Sequence, residues 1–386
     1  MINIKKILVL CLSFCWSISA FSQPDSLFAD MEISLLTCKS GDEVYTTFGH
    51  TAIRLNNTMN KSDIVYNYGT FDFNAPYFFI KFLRGQLPYR LSASSMSRFL
   101  REYNHERRSV IEQKLDLSAD QKKQLFKALA ANFKPENAEY QYDFFFDNCT
   151  TRTIDKIEET TGAISFENEI ADITFRQMLK QNLKSMPWSE FGIDLIIGAI
   201  ADKKTNRKEQ HFLPMYLHND LNDAKDTAGK SIVNTDYLVL DFEAEDAIRQ
   251  SPSQNWPLYM GILLVLLELM LFFKLQKTFF WYDKMWMWLM SIMGIIMAFM
   301  WFGTDHGATK QNYNLLWANI LFLVFLRLRK TAIGKWTAYI IIGTATIALI
   351  NSIVQILPQY FLPVFGCFAT VSILKLVRYI RNYKEA

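Results

Sequence analysis

The sequence predicts an α+β domain exported from the cytoplasm, followed by an all-α domain that crosses a membrane several times. Two observations support this division. Up to about Pro257 the chain has the composition of an ordinary globular domain, whereas Leu, Ile, Phe, Met and Trp dominate beyond it. Before that point, segments of alternating apolar residues precede segments with helical periodicity, a pattern typical of an α+β domain. The small net charge of +3 gives no reason to expect nucleic acid as a partner.

Residues 1–22 are predicted to be a secretory signal peptide. Lys5 and Lys6 supply a positive start, residues 7–18 are apolar, and residues 20–22 fit the small-x-small pattern of a cleavage site. A transmembrane anchor is the alternative, but an apolar run of about a dozen residues is short for one. The exported domain is therefore expected to occupy residues 23–255.

The exported domain begins with strand patterns and continues with helical ones. Residues 31–36, 45–55 and 64–73 alternate between apolar and polar residues and predict a small antiparallel sheet, with turns between them. Helical periodicity is clearest after Ser118, a good N-cap residue. The other predictions are helices at 94–105, 118–133 and 150–159 and strands at 109–117 and 237–242.

The C-terminal region, residues 256–378, is predicted to contain five membrane spans, of which the third is short. The predicted spans are 256–273, 280–302, 314–326, 336–357 and 359–377. Basic residues follow the first, third and fifth spans, and the positive-inside rule places those segments in the cytoplasm. These residues are Lys274, Lys277, Arg327, Arg329, Lys330, Lys335, Lys375, Arg378, Arg381 and Lys384. The prediction is a multi-pass membrane protein, with its N-terminal domain outside the cytoplasm and a cytoplasmic tail at 379–386.

Cys149 is the predicted nucleophile. An apolar run ends at Asp147 and Asn148, and a helix begins at or near the cysteine. A thiol at a helix N-terminus faces free backbone N–H groups and the positive end of the helix dipole, and both favour the thiolate. The same N–H groups would hold an oxyanion during acyl transfer. A disulfide between Cys149 and Cys38 is the alternative, since the exported domain retains these two cysteines.

His50 is the predicted general base. It follows Gly49 at the start of an alternating strand, where it would have access to a neighbouring helix N-terminus. The other histidines of the exported domain, His105, His211 and His218, lie in charged or loop-like contexts and are expected at the surface.

Several polar residues are candidates for supporting roles. The group that orients the imidazole is expected on the next strand, where Asn67 is preferred to Asp72. Tyr142 precedes the cysteine at a position suited to an oxyanion donor. Arg152 and Asp155 either support the site or form an (i, i+3) ion pair on the helix.

A loop between the second and third predicted spans contains His306 beside Asp305. This histidine is predicted either to bind a lipid headgroup or to be a solvated loop residue. The aromatic-rich stretch at 71–82 is expected to be buried or interfacial, and it would then line a groove for an acyl chain. No cofactor or metal site is predicted, because Cys and His do not cluster at ligand spacing.

Three segments together resemble a known family: Phe-Gly-His-Thr-Ala-Ile-Arg at 48–54, Tyr-Asn-Tyr-Gly-Thr-Phe at 66–71, and Asp-Asn-Cys-Thr-Thr-Arg at 147–152, which includes Asn148. They resemble the periplasmic domain of the Bacteroides-type lipoprotein N-acyltransferases (Lnb), and the membrane region resembles that family more weakly. The order of a histidine strand before a cysteine helix is also similar to circularly permuted papain-like folds, such as permuted NlpC-type proteins and lecithin:retinol acyltransferase. The resemblance implies a permuted papain-like α+β fold for the exported domain.

The resemblance also implies acyl transfer in two steps. Cys149 would take an acyl chain from a phospholipid as a thioester, which the α-amine of a diacylglyceryl-cysteine lipoprotein would then attack, with His50 as base. Both substrates lie in the lipid bilayer, so a membrane anchor would raise the frequency of encounters. Two alternatives remain open: a thiol hydrolase or amidase of envelope peptides or lipids, and a non-enzymatic envelope receptor or assembly factor.

Overall fold

The structure is a computed structural model that describes residues 26–167, 169–274, 281–354 and 363–383. The predicted signal peptide at 1–22, the turn at Pro358 and residues 384–386 of the predicted tail lie outside these ranges. Within them, an α+β domain built on one sheet is followed by a region of long apolar helices. This is the division that the change in composition predicts.

In the described part of the N-terminal domain, seven antiparallel strands form one sheet. The strands are β1 Met31–Cys38, β2 His50–Asn57, β3 Ser62–Thr70, β4 Pro88–Ser95, β5 Val110–Leu115, β6 Glu139–Gln141 and β7 Val233–Leu240. Their order across the sheet is β6-β4-β3-β2-β1-β5-β7. Strands β1 to β4 are therefore neighbours in both the chain and the sheet.

The strand predictions hold for β1, β3 and β5, and partly for β2 and β7. The strand predicted at 45–55 begins at His50, because residues 43–49 form turns instead. The Thr46 N–H donates to the Glu43 carbonyl at 2.9 Å, and the Gly49 N–H donates to the Thr46 carbonyl at 3.0 Å. Strands β4 and β6 were not predicted.

The helices predicted at 94–105, 118–133 and 150–159 are present as α3, α4 and α6. The helices of this domain are α1 Ser26–Ala29, α2 Phe78–Arg84, α3 Met96–His105, α4 Ala119–Asn132, α5 Pro135–Ala138, α6 Cys149–Thr161, α7 Phe175–Asn182, α8 Pro187–Ile196, α9 Arg207–Gln210, α10 Pro214–Asn222 and α11 Glu243–Gln250. A capping box at Ser118 and Gln121 begins α4, as its sequence suggests.

Helices cover both faces of the sheet. Helices α4 and α6 pack on one face, where Leu125 and Ile154 join the core cluster that contains Leu35. Helix α3 packs on the other face, where Phe99 joins the cluster that contains Cys38. Because β1 is covered on both sides, its residues are buried almost without interruption rather than alternately.

The C-terminal region contains, among its described residues, four helices that are long and apolar enough to cross a bilayer. Its helices are α12 Trp256–Lys274, α13 Trp281–Phe302, α14 Leu321–Leu328, α15 Ala332–Val354 and α16 Pro363–Tyr383. The span predicted at 314–326 is instead a 3-10 turn at Tyr313–Leu316 followed by the eight residues of α14. A helix of that length extends only about 12 Å, which is less than half of the hydrocarbon core.

A buried ionic cluster joins three of the membrane helices. Lys375 of α16 donates to Glu268 of α12 at 2.8 Å and to Asp283 of α13 at 2.6 Å, and Arg378 of α16 pairs with Glu268. All four side chains are almost completely buried. The charge pattern predicts that Lys375 and Arg378 are cytoplasmic residues at the end of the fifth span. They lie inside α16 with carboxylate partners, so they contribute less to the charge bias than predicted.

Residues 303–314, here named the docking loop, connect the membrane region to the N-terminal domain. The Gly198 N–H donates to the Ala308 carbonyl at 2.9 Å, and the Asp305 N–H donates to the Arg84 carbonyl at 2.8 Å. The Asn312 side chain donates to two carbonyls at the end of α8, at 2.8 and 2.9 Å. These bonds hold the N-terminal domain against the ends of the membrane helices.

Candidate active site

Cys149 is the first residue of α6, and Asn148 is the N-cap that fixes this helix start. The Asn148 Oδ1 accepts from the N–H groups of Thr150 and Thr151 at 2.8 and 3.0 Å. In return, the Thr151 Oγ1 accepts from the Asn148 N–H at 2.8 Å, and the Asn148 Nδ2 donates to the Phe212 carbonyl at 2.9 Å. The asparagine before the cysteine is therefore a buried cap whose own polar atoms are satisfied.

This cap changes the expected oxyanion site. The prediction used the free N–H groups of the first helical turn, but Asn148 already occupies those of Thr150 and Thr151. The Thr51 N–H is directed to the Cys149 sulfur. The Cys149 N–H and nearby side chains are therefore better candidates for an oxyanion than the whole helix N-terminus.

The structure brings His50 to Cys149. His50 is the first residue of β2, and its ring lies within hydrogen-bonding reach of the Cys149 thiol. The thiol also approaches the Thr150 hydroxyl, with 3.8 Å between Sγ and Oγ1. That hydroxyl lies 3.1 Å from the hydroxyl of Thr51, in a buried contact that ties the start of β2 to the start of α6.

Asn67 orients the imidazole. Its Oδ1 lies 3.2 Å from the His50 Nε2, and its Nδ2 donates to the Val65 carbonyl at 3.4 Å. Because the Asn67 oxygen accepts from Nε2, Nδ1 is the ring nitrogen that remains for the thiol. Asp72, the other candidate, is exposed, and its Oδ1 accepts from the Asn74 N–H at 2.8 Å in the turn after β3.

The two titratable groups of this pair are shifted toward their charged forms. Burial raises the pKa of Cys149, but the His50 charge and hydrogen bonds from His50, Thr51 and Thr150 outweigh burial and lower this pKa to about 7. Burial lowers the pKa of His50, but the Cys149 charge and the bonds with Cys149 and Asn67 raise it above its ordinary value. A thiolate is therefore accessible near neutral pH.

The Cys38 thiol is shifted in the opposite direction, toward its neutral form. It pairs with His50 across β1 and β2, yet it is fully buried in the cluster that contains Phe99. Burial raises its pKa to about 12, so Cys38 remains a neutral thiol. Both Cys38 and Cys149 are free cysteines, and the alternative disulfide between them is not formed.

Two glycines with positive φ allow the chain to approach the site closely. Gly49 has φ +80, and a Cβ at this position would lie 2.7 Å from the Cys38 carbonyl oxygen. Gly69 has φ +86 and lies beside Cys149, since a Cβ there would be 3.6 Å from the Cys149 Cβ. Only glycine adopts such angles without strain, which explains why glycine stands before His50 and after Tyr68.

Three tyrosines, Tyr89, Tyr140 and Tyr142, form an aromatic wall beside Cys149. Tyr142 stacks on Tyr89 with ring centroids 4.4 Å apart, and its ring borders Gly69. Burial and the neighbouring Cys149 charge raise the pKa of Tyr142 well above its ordinary range, so its hydroxyl keeps its proton. Tyr140, which the sequence reasoning missed, also has its hydroxyl near Gly69. The Tyr-x-Tyr alternation before the cysteine motif was a signal that could have identified it.

The ion pair between Arg152 and Asp155, one of the two alternatives for these residues, is not formed. Arg152 forms a two-point ion pair with Asp147, at 2.5 and 2.7 Å, and its guanidinium lies 3.5 Å from the ring centroid of Tyr140. Asp155 instead accepts from Lys208 at 2.9 Å. Arg152 therefore connects the loop before Cys149 to the ring of Tyr140. It does not form an ion pair along the helix.

Three of the remaining histidines have partners other than the Cys149 thiol. His306 is half-buried and contacts α2, with 3.1 Å between its Nε2 and the Phe82 carbonyl oxygen. His105 is exposed as expected, but the prediction is wrong for His211 and His218, which are buried. They pair with Asp220 and Asp236 at 2.7 and 3.1 Å, and these acidic partners come from segments that local sequence does not reveal.

Within the described ranges, no group of three His, Cys, Asp or Glu side chains is placed to hold a metal ion. The chemistry available at the site is that of a thiolate, an imidazolium, a carboxamide and nearby tyrosine hydroxyls. Such a set suits nucleophilic attack on a carbonyl carbon followed by proton delivery to a leaving group.

Comparison with known families gives two matches. The Lnb N-terminal periplasmic domain matches residues 18–181, and the Lnb transmembrane domain matches residues 250–386. No curated protein and no solved structure matches the chain significantly. The likeness to papain-like folds thus stays a prediction. The two matches cover most of the chain, in the order that the composition predicts, and the N-terminal match contains His50, Asn67 and Cys149. The chain belongs to the Lnb family, as a membrane protein with a periplasmic domain.

Proposed function

We propose that the protein is a lipoprotein N-acyltransferase. It would move an acyl chain from a phospholipid, through a thioester on Cys149, to the α-amine of a diacylglyceryl-cysteine lipoprotein. The observation that carries this proposal is the Cys149 thiol with a pKa near 7, adjacent to a His50 held by Asn67. This group lies in a domain that the docking loop holds against membrane helices, where both lipid substrates are located.

In the first step, the Cys149 thiolate attacks the ester carbonyl carbon of the phospholipid. The resulting oxyanion is held by the Cys149 N–H and by Tyr142, whose hydroxyl keeps its proton and can donate it in a hydrogen bond. The C–O bond of the ester then breaks, and the imidazolium of His50 donates its proton to the departing lysophospholipid oxygen. The acyl chain remains on the sulfur as a thioester.

In the second step, the lipoprotein α-amine attacks the thioester carbonyl. His50 takes a proton from the amine, the C–S bond breaks, and the amide product leaves with Cys149 again as thiolate. An amine rather than water must be the acceptor for this to be a transferase. The Lnb family assignment and the multi-span anchor support a lipid-bound acceptor.

The proposed arrangement in the cell follows from the same reasoning. We place the protein in the bacterial inner membrane, with residues 23–255 in the periplasm, residues 256–378 in the bilayer and the C-terminus in the cytoplasm. This orientation needs a third crossing, which we assign to residues 313–328, the 3-10 turn and α14 together, because α14 alone is too short. The basic residues at the end of that segment, Arg327, Arg329 and Lys330, support the orientation.

The test uses the full chain in phospholipid nanodiscs with a synthetic diacylated lipopeptide as acceptor. Mass spectrometry should detect an N-acylated lipopeptide, a lysophospholipid and, without acceptor, an acyl group on Cys149. Cys149→Ala should abolish all three, whereas Cys38→Ala, which removes the buried thiol, serves as the matched control and should retain transfer. Release of free fatty acid without N-acylated product would identify a hydrolase instead. Absence of any acyl-enzyme and any product would exclude covalent catalysis.

A further inference from the structure

The segment at 71–84, here named the aromatic platform, is unusually apolar for the surface of a water-soluble domain. It connects β3 to β4 and contains α2. Six of its large apolar side chains are between 49% and 81% exposed: Phe73, Tyr77, Phe79, Ile80, Phe82 and Leu83. None of the residues of α2 is buried. A contiguous apolar patch of this kind marks a surface that contacts another apolar phase or partner.

The position of the platform identifies that phase. Its C-terminal end is bonded to the docking loop, through the Asp305 N–H to the Arg84 carbonyl at 2.8 Å and through His306 to the Phe82 carbonyl. Gln86, just beyond the platform, donates to the Asp305 carboxylate at 2.7 Å. Asp305 is three residues beyond Phe302, the last residue of membrane helix α13, so at most about 10 Å of chain separates them. The platform therefore lies at the level of the membrane surface.

The charges of the platform agree with this position. Lys81 and Arg84 lie in the last turn of α2, and no acidic residue lies in its first turn. Basic side chains beside exposed Phe and Leu are typical of short segments that lie in the interfacial layer, where phospholipid phosphates attract them. Phe302, the last residue of α13, is also exposed, at 75%.

Aromatic contacts connect the platform to the nucleophile. Phe78 of α2 contacts Phe71, with ring centroids 5.9 Å apart, and Phe71 contacts Tyr89 at 5.2 Å. Tyr89 stacks on Tyr142, whose ring borders Gly69 beside Cys149. A continuous row of rings thus leads from the exposed face of α2 to the thiol. Such a row can shield an acyl chain from water over its whole length.

We propose that the aromatic platform inserts into the interfacial layer of the bilayer leaflet that faces the N-terminal domain. There it receives a phospholipid, whose ester carbonyls lie at this depth, and guides the acyl ester along the row of rings to Cys149. The delivery role rests on the proposed acyl transfer. The contact with lipid rests only on the geometry of the platform and the docking loop.

Photo-cross-linking in the full chain tests the lipid contact. Phe79→p-benzoylphenylalanine is compared with Met59→p-benzoylphenylalanine, in nanodiscs of phosphatidylethanolamine and phosphatidylglycerol that carry an alkyne-tagged phospholipid. Met59 is a matched control because it is 65% exposed and apolar but lies in the β2–β3 turn, at the opposite end of β2 from His50. Lipid adducts should form at position 79 and not at position 59. They should also form in a Cys149→Ala background, because contact does not require catalysis. Equal labelling at both positions, or none at position 79, would overturn the proposal.

A second measurement separates delivery from chemistry. The double variant Phe79→Glu, Ile80→Glu should lower acyl transfer from bilayer phospholipid at least tenfold. It should leave the alkylation rate of Cys149 by water-soluble iodoacetamide within twofold of the parent, whereas Met59→Glu should change neither rate. Lipid adducts at position 79 in a protein without transferase activity would support the lipid contact of the platform and refute the proposed acyl transfer. Full transfer activity in the double variant would refute delivery by the platform and leave the proposed acyl transfer intact.

Discussion

Asn67 and His50 meet through one contact, with the carboxamide Oδ1 3.2 Å from the ring Nε2. The bond from the Asn67 Nδ2 to the Val65 carbonyl determines which end of the carboxamide faces the ring. Burial acts to lower the pKa of His50, while the Cys149 charge, the Cys149 bond and the Asn67 bond raise it by more. Asn67 therefore sets both the direction of the imidazole and its readiness to remain protonated.

Replacing Asn67 should slow the reaction without weakening substrate binding. We expect Asn67→Ala to lower kcat by about ten- to a hundredfold with little change in KM. Because the lost bond raises the pKa of His50, the basic limb of the pH profile should move to lower pH. Steady-state kinetics between pH 5 and about pH 10 measure both effects. Asp72→Ala, which changes a residue in the turn after β3, should leave kcat within twofold of the parent at every pH.

The nucleophilicity of Cys149 should follow a titration centred near neutral pH. Iodoacetamide should alkylate Cys149 with a rate that rises with pH and reaches half its maximum near pH 7, the value to which this pKa is lowered. His50→Gln removes the largest stabilising influences on the thiolate, so the midpoint should move upward and the rate at pH 7 should fall at least about tenfold. Mass spectrometry of the labelled peptide distinguishes Cys149 from Cys38, which should remain unlabelled throughout. An unchanged midpoint in His50→Gln would show that the two residues do not interact.

The N-cap of α6 should influence reactivity as well as stability. Asn148→Ala removes two bonds to backbone N–H groups and leaves the Phe212 carbonyl without its donor, so we expect a loss of about 1–2 kcal/mol in the free energy of unfolding. Ser118→Ala removes the comparable cap of α4 and should cost about 1 kcal/mol. Thermal unfolding followed by circular dichroism measures both. Only Asn148→Ala should also slow alkylation of Cys149, and equal alkylation rates would contradict a positioning role.

Alanine substitutions at Gly49 and Gly229 compare the cost of a positive φ with and without a steric clash at the added Cβ. Both have positive φ, +80 and +79, but a Cβ at Gly49 would lie 2.7 Å from the Cys38 carbonyl oxygen, whereas none of the described atoms lies within 4 Å of a Cβ at Gly229. Gly229→Ala should cost about 1 kcal/mol, the penalty of the backbone angle alone. Gly49→Ala should cost more and should also lower alkylation of Cys149, because the chain must shift next to His50. Equal destabilisation of the two variants would show that the start of β2 relaxes freely.

The parts of the site that the sequence predicts are those controlled by local chain geometry. A helix that begins at Cys149 follows from the Asn-Cys-Thr-Thr pattern, and a strand that begins at His50 follows from the preceding glycine. The partners of His211 and His218 could not be predicted in the same way. Each is an acidic residue in another helix or strand, and tertiary packing brings each pair together. The partner of Arg152 is local, since Asp147 lies five residues before it, but the helical spacing favoured Asp155.

Tertiary packing also decides parts of the fold that the local sequence does not predict. Strand β4 fully buries only Leu91, so its residues lack the apolar alternation that identifies a strand, and pairing with β3 decides its conformation. Composition alone does not decide whether the aromatic stretch at 71–82 is buried in the core or lies at an interface. The structure contradicts burial, because Phe73, Tyr77 and Phe79 are more than 70% exposed. The bonds of the docking loop to Arg84 and Phe82 place α2 beside the end of α13, which supports the proposed interfacial position.

The ionic cluster of Glu268, Asp283, Lys375 and Arg378 has a consequence for biogenesis. Two of these charges enter the bilayer on α12 and α13, whereas both of their cationic partners arrive later in synthesis, with α16. Until α16 is inserted, Glu268 and Asp283 must be protonated or remain near the aqueous boundary. A chain that terminates before Lys375 would therefore be left with uncompensated carboxylates, and cellular quality control should degrade it even though its proposed catalytic residues are complete.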